Sequence, residues 1–181
     1  LPPRSKTNPA GPSAHEIEAL LRAVVVLSDR VEREAGQCKC PVGVLTTGNR
    51  DTWAIDRDIL LNNGDVQEAN NANATFLRRI QRAHFMVCLD TTAPLGRHDV
   101  GRELWHGNGR NRWFDKSLQM IVFANGKAGL VGEHSMFDGQ PSRRMTEWVL
   151  RHEGREEGGG GDGLTGGVTV NPESCVEVLT P

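Results

Sequence analysis

The chain has no tyrosine and only 5% aromatic residues, which excludes a large aromatic core, and its 21 glycines make it loosely composed for 181 residues. Long apolar runs are missing too. The longest, Ala23 to Leu27, falls far short of the ~18 residues that cross a bilayer. No charge of one sign dominates: the formal net charge is -2, and the arginines are scattered among carboxylates. That leaves no basic field to hold a phosphate backbone, so nucleic acid is not an expected partner. Cysteine is scarce. Cys38, Cys40, Cys88 and Cys175 form neither a CxxC nor a paired framework, which fits a reducing compartment. Cys38 and Cys40 would need His106 or His134 to complete a zinc site, but one residue between two cysteines is not zinc-ligand spacing, so no metal is expected.

What remains, 37% hydrophobic residues, suffices for one ordinary core, that is, one domain or part of one. Residues 1–13 carry four prolines and read as a disordered leader. The chain opens on Leu1, so a targeting peptide stays open, and Leu179-Thr180-Pro181 is not a peroxisomal address. Ser13 with Glu16 forms a capping box for a helix whose apolar residues Ile17, Leu20, Leu21, Val24, Val25 and Leu27 recur at helical spacing, ending near Gly36. Pro41 to Thr47 is a β-branched run that reads as a strand, and Asp51 reads as the cap of a helix carrying Trp53, Ile55, Ile59 and Leu60. Asn62 to Thr75, rich in asparagine, reads as a surface loop. Phe76, Leu77 and Ile80 then start a helix, and His84 to Asp90 follows as a buried strand. Strand and helix alternate, so the fold class is α/β, or layered α+β, with a mixed sheet and flanking helices.

Asn125-Gly126 between LQMIVFA and KAGLVGEH predicts a hairpin with a two-residue turn. On that register Ala124 faces Lys127 and Ser117 faces His134. Gln119, Ile121, Phe123, Ala128, Leu130, Gly132 and His134 then share one face, with Leu118, Met120, Val122, Val131 and Glu133 on the other. Both faces are apolar, which places the hairpin centrally in its sheet. His134 emerges at a strand end with Glu133 on the opposite face, so Glu133 is not its natural partner. Pro141 opens a further helix with Met145, Trp148, Val149 and Leu150.

His134, Asp138 and Gly139 form HxxxDG, the pattern of acyltransferases that use coenzyme A thioesters without a covalent acyl-enzyme. The chemistry requires a neutral imidazole, of ordinary pKa about 6.5, that takes a hydroxyl proton as the oxygen attacks the thioester. The surrounding run GNGRNRWFDKSLQMIVFANGKAGLVGEHSMFDG, Gly107 to Gly139, closely resembles the choline/carnitine acyltransferase family. So do PVGVLTTGNRDTW, Pro41 to Trp53, and the strand VCLD, Val87 to Asp90, in the family's order. Within the family the resemblance is to fungal carnitine O-acetyltransferases, and it covers Pro41 to Leu150.

The resemblance implies two domains related to chloramphenicol acetyltransferase, with a tunnel between them where carnitine and acyl-coenzyme A meet. Residues 14–150 would be an incomplete N-terminal catalytic domain. An acetyl or other short acyl group would move reversibly between coenzyme A and carnitine, with His134 as general base and Asp138 as a supporting acid group. Coenzyme A is a co-substrate, no bound cofactor is implied, and its binding residues would lie mainly in a second domain. Choline or a longer acyl chain are alternatives, as is a non-catalytic binding fragment. Residues 151–181, beginning at an abrupt change of composition, read as a glycine-rich, disordered tail outside the family pattern. On this reading the chain alone would be inactive, and mitochondria or peroxisomes would be its location by resemblance. Asn111, Arg112, Asp115 and Lys116 are given an architectural role. Gly107-Asn108-Gly109 reads as a tight loop rather than a phosphate cradle, because no strand leads into it. His98 and His106 read as solvated helix-end residues, and Cys88 as a small core residue.

Overall fold

The computed structural model describes residues 13–35, 41–62, 72–135 and 138–152. The proline-rich leader before Ser13, Cys38, Cys40 and Cys175, most of the asparagine-rich segment and the glycine-rich tail lie outside the described residues. Helix α1, Ala14–Ala35, belongs to one compact unit, and every later element belongs to a second, Cys40–Arg155. The capping box at the start of α1 is formed as the sequence predicts. Glu16 accepts from the Ser13 backbone N–H at 2.7 Å, and Ser13 Oγ accepts from Glu16 N–H at 3.2 Å. No described helix is long and apolar enough to cross a membrane.

The second unit opens on a 3-10 helix, Val42–Thr47, where the β-branched run predicts a strand. Two threonines turn the chain. Thr46 Oγ1 donates to Gly43 O at 2.6 Å and Thr47 Oγ1 to Val44 O at 2.7 Å, local bonds that compete with a strand ladder. Helix α2, Arg50–Leu61, is capped by Asn49, whose side chain accepts from Thr52 N–H at 2.8 Å, and not by Asp51, which sits within its first turn. Helix α3, Ala72–Arg82, begins inside the stretch read as loop, because Ala74 packs fully buried ahead of Leu77 and Ile80. Trp53, Leu77, Ile80 and Trp113 then close a first core cluster, with the two indoles edge to face at 5.7 Å.

Strand β1, Met86–Asp90, is joined through helix α4, Arg97–Trp105, to strand β2, Leu118–Phe123, and the two pair in parallel. A parallel neighbour requires such a crossover. Strand β3, Ala128–Gly132, returns antiparallel, so the mixed sheet runs β1-β2-β3. Helix α5, Gly139–His152, follows. Along β2, buried Gln119, Ile121 and Phe123 alternate with half-buried neighbours, and Val100 and Leu104 of α4 cover the cluster of Cys88, Ile121 and Phe123.

Two expectations about the hairpin are corrected. Its loop has three residues, Ala124 to Gly126, because Phe123 and Lys127 close it through a 2.9 Å bond and only Gly126, at φ +79°, takes the left-handed conformation. A two-residue turn with Asn125 at positive φ does not form. The register therefore slips by one: Leu118 faces Gly132, Gln119 faces Val131, and Ser117 bonds Glu133 rather than His134. Ile121 shares its face with Gly129 and Val131 instead of Ala128 and Leu130. Only β2 is central, and among the described residues β3 is an edge.

Candidate active site

The block NRWFDK, Asn111 to Lys116, supplies the frame. Arg112 donates from Nη1 to Asp90 Oδ1 at 2.9 Å and from Nη2 to Asp90 Oδ2 at 2.8 Å, a bidentate pair whose side chains are 2% and 8% exposed. The same guanidinium donates to the carbonyls of Asn111 and Glu103 at 2.7 and 2.8 Å, so it joins the end of β1, the end of α4 and the segment that leads from α4 to β2. Burial pushes this guanidinium down, but the bonds and charge of Asp90 outweigh it and hold it above its ordinary value. Asn111 Nδ2 adds bonds to Leu89 O and Asp90 Oδ1. Asp115 accepts from Arg50 Nη1 at 2.5 Å and from Trp53 Nε1 at 2.9 Å, which ties the start of α2 to the block. Lys116 Nζ is buried against the last carbonyls of α3, bonding Ile80 O at 2.6 Å and Gln81 O at 3.2 Å. All four residues are architectural, as the sequence predicts.

Gly107 and Gly109 take φ of +51° and +72° in a tight turn after α4. His98 lies exposed in the first turn of α4, and His106 caps its end with Nδ1 2.6 Å from Gly107 O. Cys88 is a buried core thiol, pushed up by burial against an opposing pull from Arg112. Gln119 carries a role that the sequence reading missed. Fully buried, its Oε1 accepts from Trp113 N–H at 2.8 Å and lies 3.7 Å from Cys88 Sγ, coupling the block to the sheet. The available signal was its parity with Ile121 and Phe123 in an apolar strand.

His134 follows the last ladder bond of β3, Glu133 N–H to Ser117 O at 3.2 Å, and Asp138 precedes the first residue of α5. The structure brings the two together: His134 Nε2 lies 3.5 Å from Asp138 Oδ1. Asp138 Oδ1 is itself held at 2.6 Å by the N–H of Gly139, at the helix N-terminus where a carboxylate is favoured. Glu133 is engaged elsewhere, accepting from the N–H and hydroxyl of Ser135. Thus Glu133 is not the partner of His134. An imidazole that gives one N–H to a carboxylate keeps the other nitrogen's lone pair for a substrate proton.

The pair opens into a cleft of about 580 Å³ between β3 and α5, lined also by Leu118, Leu130, Gly132, Ser142, Arg143, Thr146 and Glu147. Arg143 Nε donates to Glu147 at 2.8 Å across this helix face. The imidazole and carboxylate are 83% and 78% exposed, so the described residues do not enclose the pair. A larger cleft of about 880 Å³ runs past Val44, Leu104, Trp105, His106, Phe114 and Val131. It shares Leu130 and Gly132 with the first but not His134, so the titratable pair, not size, locates the candidate chemistry.

The sequence profile of the choline/carnitine O-acyltransferases matches residues 4–174. The chain belongs to the choline/carnitine acyltransferase family. Among curated acyltransferases of this family it is 36% identical over 129 residues to the carnitine O-acetyltransferase of Homo sapiens, covering 66% of this chain and 20% of that protein. It is 40% identical over 119 residues to the choline O-acetyltransferase of Sus scrofa, covering 62% of this chain and 18% of that protein. The mitochondrial carnitine O-palmitoyltransferase 2 of Xenopus tropicalis is 35% identical over 162 residues, 90% of this chain and 21% of the relative. The chain spans about a fifth of the length of these relatives.

Proposed function

We propose that this chain supplies the general base of an acyl transfer between coenzyme A and the hydroxyl of a small quaternary-ammonium alcohol, carnitine in the first instance, with an acetyl or similarly short acyl group. The observation that carries the reading is the His134–Asp138 pair, 3.5 Å apart and open to a cleft, within a chain of this family. His134 takes the hydroxyl proton as the oxygen attacks the thioester carbonyl, and the thiolate of coenzyme A leaves and is protonated. In reverse the thiol is deprotonated and attacks the ester. No group of the chain is acylated. Asp138, fixed by Gly139 N–H, orients the imidazole.

Coenzyme A acts as co-substrate. Because the pair is so exposed, efficient transfer requires further protein surface over the cleft to exclude water and orient both substrates, supplied by a second domain, and this chain alone turns over negligibly. The relative named as mitochondrial supports a mitochondrial location, with peroxisomes as the alternative. Choline remains a second acceptor to assay, since the choline O-acetyltransferase matches at 40% identity.

The test is transfer from acetyl-coenzyme A to carnitine and to choline by the acyl-transferring polypeptide that carries this sequence. His134→Ala should lower kcat by about 100- to 10,000-fold, the range general-base catalysis supplies, while circular dichroism stays unchanged. Retained turnover removes His134 as the base, and faster transfer to choline than to carnitine reassigns the acceptor.

A further inference from the structure

Helix α4 approaches β3 more closely than a side chain at position 129 permits. A Cβ built on Gly129 would lie 2.6 Å from both Leu104 Cδ1 and Cδ2 and 3.2 Å from Leu104 Cγ. Gly129 stands opposite Ile121, so its bare face looks onto the cluster of Cys88, Ile121 and Phe123 where Leu104 packs. On one side β3 is bonded to β2, and among the described residues its other edge carries no strand. From above, its height is set by α4. Beyond Gly132 a single ladder bond, Glu133 N–H to Ser117 O, precedes His134.

We propose that Leu104 seated over Gly129 is a positioning device for the base: the contact sets how far β3 stands from α4 and thereby where the His134 imidazole stands relative to Asp138. The inference rests on the acyl-transfer reading of His134. The lever is short, because β3 runs from Gly129 to Gly132, roughly 10 Å at about 3.3 Å per residue, and Glu133 leads from its end into the turn that holds His134. Carbon atoms in contact prefer about 3.5 to 4.0 Å. A methyl at position 129 therefore demands up to about 1 Å of separation where the Leu104 methyl ends keep their place, and the 3.2 Å approach of Leu104 Cγ leaves a smaller overlap that rotating those ends does not clear. A displacement of about 1 Å at reacting groups costs on the order of 100-fold in rate.

The experiment compares Gly129→Ala, Leu104→Ala/Gly129→Ala and His134→Ala in the acyl-transferring polypeptide that carries this sequence. Gly129→Ala should lower kcat by about 10- to 100-fold with KM changed less than about 3-fold, and the double variant should return kcat to within about 3-fold of the parent. A role in packing alone would lower the melting temperature and leave kcat below that temperature unmoved. If His134→Ala is inactive while folded Gly129→Ala keeps its kcat, the positioning role is overturned and the base stands. If His134→Ala remains active, the functional reading itself fails. Should Gly129→Ala not fold, the double variant decides: folded with near-parental kcat it supports the role, and folded with kcat still about 10-fold down it overturns it.

Discussion

Removing Arg112 tests whether the family block is structural. In Arg112→Ala, Asp90 loses both charge-assisted bonds while remaining buried, and the carbonyls of Glu103 and Asn111 lose their shared donor. Breaking a buried ion pair from one side costs about 3 to 5 kcal/mol. Asn111 Nδ2 still reaches Asp90 Oδ1 at 2.7 Å, which keeps the carboxylate partly satisfied and places the loss near the lower bound, about 3 kcal/mol. With a urea dependence of about 2 kcal/mol per molar, the midpoint should fall by about 1.5 M. Tryptophan fluorescence is a suitable readout, because Trp53 and Trp113 are buried in this unit while Trp105 and Trp148 are exposed and change little. Replacing both partners, Asp90→Asn with Arg112→Met, should cost at least about 1 kcal/mol less than Arg112→Ala, since no unpaired charge is then buried. A midpoint drop below about 0.5 M for Arg112→Ala, or a double variant no better than the single, would refute the reasoning.

Two further outcomes follow from packing and burial. Gly43→Ala should destabilise the second unit by more than about 2 kcal/mol in the same urea assay, because its Cβ would clash with the Arg112 carbonyl oxygen, a backbone atom that cannot rotate aside. Burial pushes the Cys88 thiol above its ordinary 9.0, so the fold keeps that proton at a pH where the unfolded chain has lost it. Its contribution is complete below about pH 9 and declines as pH rises through the folded value; parent protein should lose more stability than Cys88→Ala between pH 7 and pH 10, and equal losses would exclude the effect.

The parts of the fold legible in the sequence were those set by local chemistry or strong periodicity. Ser13 and Glu16 lie three residues apart and reciprocate their bonds without outside help, and Cys88 declared its burial by its apolar neighbours. Where tertiary partners decide, the sequence misled. The run Val42 to Thr47 has strand composition, but Thr46 Oγ1 also accepts from Phe114 N–H at 2.9 Å, and Gly43 admits the Arg112 carbonyl, so the turn is held by the block that packs on it. Asn125 predicts a two-residue turn, yet its amide donates to Pro94 O and its Oδ1 accepts from Lys127 N–H, contacts that favour the three-residue loop. Spacing named His134 and Asp138, and the structure sets them 3.5 Å apart where β3 has ended and α5 begins. The cleft walls could not be read, because β3 and α5 meet only in three dimensions.

Lys116 has a consequence of another kind. Its ammonium closes the carboxyl end of α3, where the helix dipole is negative, and it is 7% exposed. An amine reagent reaches that nitrogen only when α3 lifts from the block, so the extent of Lys116 labelling reports the population of an opened first core cluster. The chain thus carries a chemical gauge of its own local unfolding.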